Sequence, residues 1–371
     1  MSMQFKKALA VVVALAIATV MAGCSKNSTS ATSSSSASSS VSVTSGTRTF
    51  TDSAGRVVEI PANITRVAPS GSLAQLFLYS LCPDKLVGLS GKFADSAKPY
   101  IDSKYYNLPV FGQFYGKNVN LNIEALAAAK PQIIIDIGEK KATEKEDMDG
   151  VQKQTGIPVI FVEATLDSMA KAYVTLGNIL GEQAQAKKLS DYISSTLSDA
   201  KTKSATISAS KKVKVYYGLG SNGLQTNPKG SIHADEIKKI GAVNVADVTD
   251  STGAGGVNVS MEQVVQWAPD VMIFDPQSVY STVATDPLWN GFAAVKNKKV
   301  YEVPIGPYNW MGRPPSVNQI LGIKWLGNLI YPNVYKYNMV QEAEKYYQLF
   351  YNYKLTDDQA KKLMANSTYK Q

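Results

Sequence analysis

The sequence predicts an α/β protein: two Rossmann-like lobes, each with a central parallel sheet, joined by a single long α-helix. Three observations carry this expectation. Short, continuous apolar runs alternate with helical stretches, the pattern of strands buried on both faces. Residues 165–206 interrupt that rhythm with apolar side chains at helical spacing. One motif of short helix, proline and apolar strand occurs on each side of the interruption.

The chain opens with a Lys6-Lys7 pair, an apolar run from Ala8 to Ile17 and on through Val20 to Ala22, and then Gly23-Cys24. These are the parts of a secretory signal peptide, residues 1–23. The run is about 15 residues, short of the roughly 20 that span a bilayer. Met21-Ala22-Gly23-Cys24 resembles the bacterial lipobox, which implies lipidation of Cys24 and a two-chain anchor sufficient for stable membrane attachment. In residues 25–47, sixteen of 23 are Ser or Thr and Lys26 is the only charge. Such a segment buries too little apolar surface to fold, so residues 24–47 are expected to be a tether.

Beyond residue 47 the composition is that of a globular protein, 44% hydrophobic and 18% charged over the chain. The formal charge is +8, and removal of Lys6 and Lys7 leaves 8 − 2 = +6. The lysines are scattered without a long basic run, which argues against nucleic acid and suits an anionic ligand or an anionic cell envelope. Cys82 is the one cysteine after Cys24, so neither a disulfide framework nor a cysteine metal site is expected, and its role reads as a small apolar filler. His233 is the one histidine and no GxSxG signature accompanies it. It reads as a capping or surface residue, and the chain is not expected to be an enzyme.

Residues 48–164 form the first expected lobe. Arg48–Ile60 reads as a hairpin around Ser53-Ala54-Gly55, and Thr65–Pro69 as a strand ending in Ser70-Gly71-Ser72. A helix over Leu73–Leu81, strands over Asp84–Leu89 and Pro109–Phe111, a helix over Asn122–Ala129 and buried strands over Gln132–Asp136 and Ile157–Val162 follow. In residues 165–207, Met169, Tyr173, Leu176, Leu180, Leu189, Ile193 and Leu197 predict one amphipathic helix capped by Thr165 or Asp167, roughly 60 Å long if unbroken. Its Gly177 and Gly181 are a tolerable cost. Residues 208–371 restart the α/β pattern. Strands are expected over Val213–Leu219, Val271–Asp275 and Val300–Val303. Helices are expected over His233–Ile240, Val259–Ala268, Ser316–Ile330, Met339–Tyr351 and Thr356–Met364, with Ser316 as a cap.

The repeated motif runs from Asn122 to Ile135 and from Ser260 to Ile273. Each copy has a capping residue, a Glu two positions later, a short helix, then Pro and an apolar strand. A first-turn Glu complements the helix dipole, which accounts for one copy; two copies at matching offsets suggest two similar lobes. With the opening hairpin and the strand TRVAPS, this makes nearly the whole mature chain resemble the periplasmic-binding proteins for ferric siderophores, cobalamin and haem. The resemblance implies a ligand in the cleft between the lobes, and partners in an ABC permease with its ATPase. It also implies that Glu124 and Glu262 dock on permease arginines. The expected protein is therefore a monomeric, lipid-anchored solute-binding component of an importer on the extracytoplasmic face of the cell membrane.

Ligands of open α/β sheets bind beyond the carboxyl ends of the strands, which directs attention to loops 69–72, 112–117, 136–140, 217–226, 275–281 and 305–313. Candidate ligand contacts are Ser70, Phe114, Tyr115, Tyr308, Trp310 and Arg313. The rings offer apolar area with polar tips, and Arg a fork for oxyanions. A ferric siderophore is the first expectation, followed by cobalamin, haem or an oxyanion such as molybdate or tungstate, with no resident cofactor or metal. The alternative class is a cell-surface hydrolase or an adhesive lipoprotein.

Overall fold

A computed structural model describes residues 46–116, 119–249 and 256–367. Cys24, the signal segment and most of the expected tether lie outside the described residues.

The strands Thr47–Thr51 and Val57–Pro61 form the expected antiparallel hairpin. Arg56 returns from it into the first lobe. Its guanidinium meets Asp52 at 3.0 Å and Asp149 at 2.7 Å and donates to the Val159 carbonyl. The first-lobe sheet has parallel strands in the order Val67–Pro69, Ile133–Gly138, Val159–Glu163. Single bridges Val67–Leu86 and Leu89–Val110 extend it. The expected second and third strands are therefore reduced to bridges. Ile133, Ile134 and Ile135 are fully buried, as a strand covered on both faces requires.

In the second lobe the sheet runs Val300–Glu302, Val271–Phe274, Lys214–Leu219, with parallel pairing throughout. Short antiparallel strands Gln225–Thr226 and Val257–Asn258 continue one end, and Val243–Asn244 pairs with the start of Lys214–Leu219. Sequence periodicity missed these three because two-residue strands carry no period. Ser316 does not cap the next helix. That helix begins at Asn318, and the Ser316 hydroxyl accepts a bond from the Asn318 side chain instead.

The expected unbroken helix over 165–206 is two helices, Met169–Leu180 and Gln183–Ala205. Gly181 takes φ +74°, a left-handed conformation that ends the first helix. Neither Thr165 nor Asp167 is its cap; Ser168 holds that position. Gly177 marks the contact between the two helices, where a β-carbon would lie 2.4 Å from the Ala186 Cβ. The glycines are thus a break and a crossing point rather than a tolerated cost. The single helix Gln183–Ala205, roughly 34 Å at 1.5 Å per residue, joins the lobes. It touches Ser72–Leu81 in the first and Asn318–Ile330 and Pro332–Tyr335 in the second. Its buried face carries Ala186, Leu189, Tyr192, Ile193, Thr196 and Ala200. Helix Met339–Tyr351 also packs on Ser72–Leu81, so one apolar cluster continues across both lobes. Cys82 is buried in that cluster, and burial pushes its thiol up to about 12.

Candidate functional site

A cavity of about 480 Å³ lies between the lobes at the carboxyl ends of the strands. Ser72 and Leu73, at the start of helix Ser72–Leu81, form one wall; Asn227, His233, Arg313, Pro314 and Pro315 form the other. The helix starts from Gly71 with no side-chain cap and no acidic residue in its first turn. Ser72 and Leu73 therefore bring the first turn of this helix, the positive end of its dipole, to the cavity wall.

Arg313 is held by one edge. Its Nε lies 3.7 Å from the Asp275 carboxylate, and its side chain is 44% exposed. Asp275, just past the strand Val271–Phe274, also accepts from the Tyr217 hydroxyl at 3.0 Å and from the Asn309 amide. Burial raises the Asp275 carboxyl, while Arg313, Tyr217 and Asn309 oppose the rise. The Asn309 side-chain oxygen accepts the Met311 N–H at 2.6 Å, so one carboxylate ties down the whole 305–313 loop.

His233 approaches that loop from the other side. Its Nδ1 is 2.5 Å from the Gly312 carbonyl. A carbonyl only accepts, so Nδ1 carries the proton, and of the two neutral tautomers this contact selects the one with its lone pair on Nε2. Gly312 permits the approach, because a β-carbon there would lie 2.4 Å from His233 Cα. The sequence reading of His233 as a surface or capping residue is thus corrected: it is a cavity wall. Its only sequence signal was being the single imidazole, and its neighbours come from a segment about eighty positions away.

The other expected contacts divide. Ser70 is buried, and its hydroxyl donates to Asp136. Tyr115 is half-buried and donates to Asp136 at 2.8 Å, with Glu144 at 3.3 Å. Burial raises both carboxyls, and proximity to Asp136 adds to the rise of Glu144 to about 7. Tyr308 is half-buried with its hydroxyl against Gln75 of the first lobe, a link between lobes. Phe114 and Trp310 are 3% and 1% exposed and sit in the core. Loop 305–313 reaches the cavity through Arg313 but no residue of loop 112–117 is among its lining, and sequence could not tell inward from outward side chains. Of the six, Arg313 alone lines the cavity.

Glu124 and Glu262 are exposed in the first turns of the matched helices Ile123–Ala129 and Met261–Trp267. Asn122 caps one, and Ser260 with Gln263 forms a capping box on the other. Both helices end on a non-glycine left-handed residue, Lys130 at φ +47° and Ala268 at φ +45°. The two copies therefore match in backbone as well as sequence.

The model for the family described as Periplasmic binding protein matches residues 77–305, more than half of the chain. The chain belongs to this family. The high-affinity haem uptake system protein IsdE of Staphylococcus aureus is 27% identical over 218 residues, covering 56% of this chain and 70% of that protein. Among solved structures, an ABC transporter solute-binding protein from Sulfurospirillum deleyianum matches with TM-score 0.79 and 29% identity, over 86% of this chain and 99% of that one. The molybdate periplasmic binding protein MolA of Haemophilus influenzae shares the fold, with TM-score 0.67 and 22% identity over 83% and 99%. This family member is a solute-binding protein of an ABC importer, and it works with a permease and its ATPase. Homologous binding proteins are extracytoplasmic. Among the described residues no helix is long and apolar enough to cross a membrane.

Proposed function

We propose that the chain captures an anionic, oxygen-rich solute in the cavity between its lobes and delivers it to the permease without chemical change. The observation that carries this reading is the cavity wall. Arg313 and the uncapped start of helix Ser72–Leu81 both line this cavity, and no carboxylate is among the described lining residues. A compact oxyanion fits this wall best, as with the molybdate bound by MolA. A ferric siderophore or haem is the second reading. It is supported by the resemblance to the haem uptake protein and by the Nε2 lone pair of His233, held in the orientation that suits a metal ligand. The rings expected to grip a siderophore, Phe114 and Trp310, do not line the cavity. Calorimetric titration with molybdate, tungstate, phosphate, a ferric siderophore and haem tests the reading. Binding of an anion is expected, and binding of neutral or cationic solutes alone overturns it.

Docking is proposed to run through Glu124 and Glu262, each paired with a permease arginine. One exposed ion pair contributes about 0–1 kcal/mol, but two on separate lobes set the orientation. The double change Glu124→Arg and Glu262→Arg is expected to abolish transport in reconstituted vesicles while leaving solute affinity intact; a parallel loss of affinity contradicts docking. The protein is further proposed to act as a monomer tethered through lipid on Cys24.

A further inference from the structure

A second apolar feature lies away from the solute cavity. A groove of about 650 Å³ opens at the amino-terminal ends of the second-lobe strands, beside Lys214, Asp270 and Lys299. The cavity for solute is at their carboxyl ends. Two large apolar side chains stand at the groove in solvent, Val265 at 56% and Leu288 at 62% exposure. Leu288 is not on a loose segment. Its N–H is held by the Asp286 carboxylate at 2.9 Å. The adjoining Trp289 is buried, with its ring 5.3 Å from that of Phe274. A rigid turn therefore holds an aliphatic side chain out into water.

The surroundings of this pair are basic. Lys214 and Lys299 line the groove, and Lys296 and Lys298 stand exposed beside it. The Lys214 ammonium donates to the Trp267 carbonyl rather than to a carboxylate. Asp270 is the acidic residue among the lining groups. On the docking proposed above, the surface that receives Glu262 carries arginine and is repelled by these lysines. The groove and the glutamate thus answer to different partners. Protruding aliphatic side chains beside four lysines, which outnumber the neighbouring carboxylates Asp270 and Asp286, match an anionic lipid surface, where headgroups meet the lysines and the aliphatic tips enter the acyl boundary.

We propose that this face of the second lobe rests on anionic phospholipid, with Leu288 and Val265 inserted and Lys296, Lys298 and Lys299 on the headgroups. The proposal builds on the membrane-tethered reading and gives the tethered protein a preferred resting face between deliveries. It also gives the basic excess of the chain a local purpose.

The test uses the full chain carrying Cys24→Ser, so that no acyl group holds it, in flotation with vesicles of phosphatidylglycerol and phosphatidylcholine or of phosphatidylcholine alone. Binding only to the anionic vesicles is expected, weakened by salt. Leu288→Asp and the pair Lys298→Glu with Lys299→Glu are each expected to cut the bound fraction by about fivefold or more. Lys145→Glu, on the first lobe, is expected to leave it unchanged. All of these residues are exposed, and unchanged melting confirms folding. No binding, equal binding to neutral vesicles, or indifference to the groove variants overturns the proposal. So does a Leu288→Asp chain that keeps vesicle binding but loses the permease complex in phosphatidylcholine nanodiscs, which assigns the groove to the permease. If the unmodified, acylated chain binds while Cys24→Ser does not, the tether stands and the lipid face falls. If Cys24→Ser binds through the groove, the face stands whatever becomes of the tether.

Discussion

Each lobe holds an aspartate near the end of the strand that follows its Glu-to-Pro motif, buried in the first lobe and half-buried in the second, and in each a tyrosine hydroxyl donates to it: Tyr115 to Asp136, Tyr217 to Asp275. The companions differ. Asp136 is joined by Ser70 and by a second carboxyl, Glu144, one of whose oxygens is buried with no hydrogen-bond partner among the described residues. Asp275 is joined by Asn309 and Arg313. Two buried carboxyls close together disfavour a second charge, so the pair holds a proton more readily than either would alone. At Asp275 the neighbouring guanidinium opposes the rise that burial causes, and only one edge of the Arg313 fork is engaged. The same scaffold thus makes a closed acid pair in one lobe and a positively charged cavity wall in the other. The matched helices of the two lobes resemble each other in backbone, and one companion residue decides which lobe presents charge to the cavity.

The largest expected effects test whether the rings near these clusters are packing groups. Trp310→Ala and Phe114→Ala are each expected to lower stability by about 3–5 kcal/mol, as cavity-forming changes in a core do. Chemical denaturation measures this. Unchanged stability with lost solute affinity would return these rings to the binding surface. Next in size, Arg313→Ala is expected to weaken an anionic solute by about 1.5–3 kcal/mol, the range for a hydrogen bond to a charged group, as read by calorimetry. Glu144→Gln in the other lobe is expected to leave affinity unchanged, and equal losses in both would dissolve the contrast between lobes.

The smallest expected effect sharpens the acid pair. The folded Glu144 carboxyl sits at about 7, above its ordinary 4.5, because burial and Asp136 disfavour its charge. The folded chain therefore keeps a proton that the unfolded chain releases, and stability falls as pH rises from 4.5 to 7. Glu144→Gln is expected to flatten this fall, on the order of 1 kcal/mol, in melting curves between pH 5 and 8. A slope identical to that of the unaltered protein would show that the pair does not share a proton.

Local pattern was enough for the hairpin, the buried strands Ile133–Gly138 and Val271–Phe274, the capped helices bearing Glu124 and Glu262, and the two-lobed plan. Each follows from side chains a few positions apart, where periodicity and capping chemistry act. Arg313 was found by type alone, since a charged fork in a glycine- and proline-rich loop has few roles. Tertiary structure decided the rest. It turned Phe114 and Trp310 inward, split the long helix at Gly181, and brought His233 against Gly312 and Arg313 against Asp275. The residue numbers in these last pairs lie far apart. Whether a side chain meets solvent, core or a distant partner depends on how the elements pack, and no local spacing encodes that.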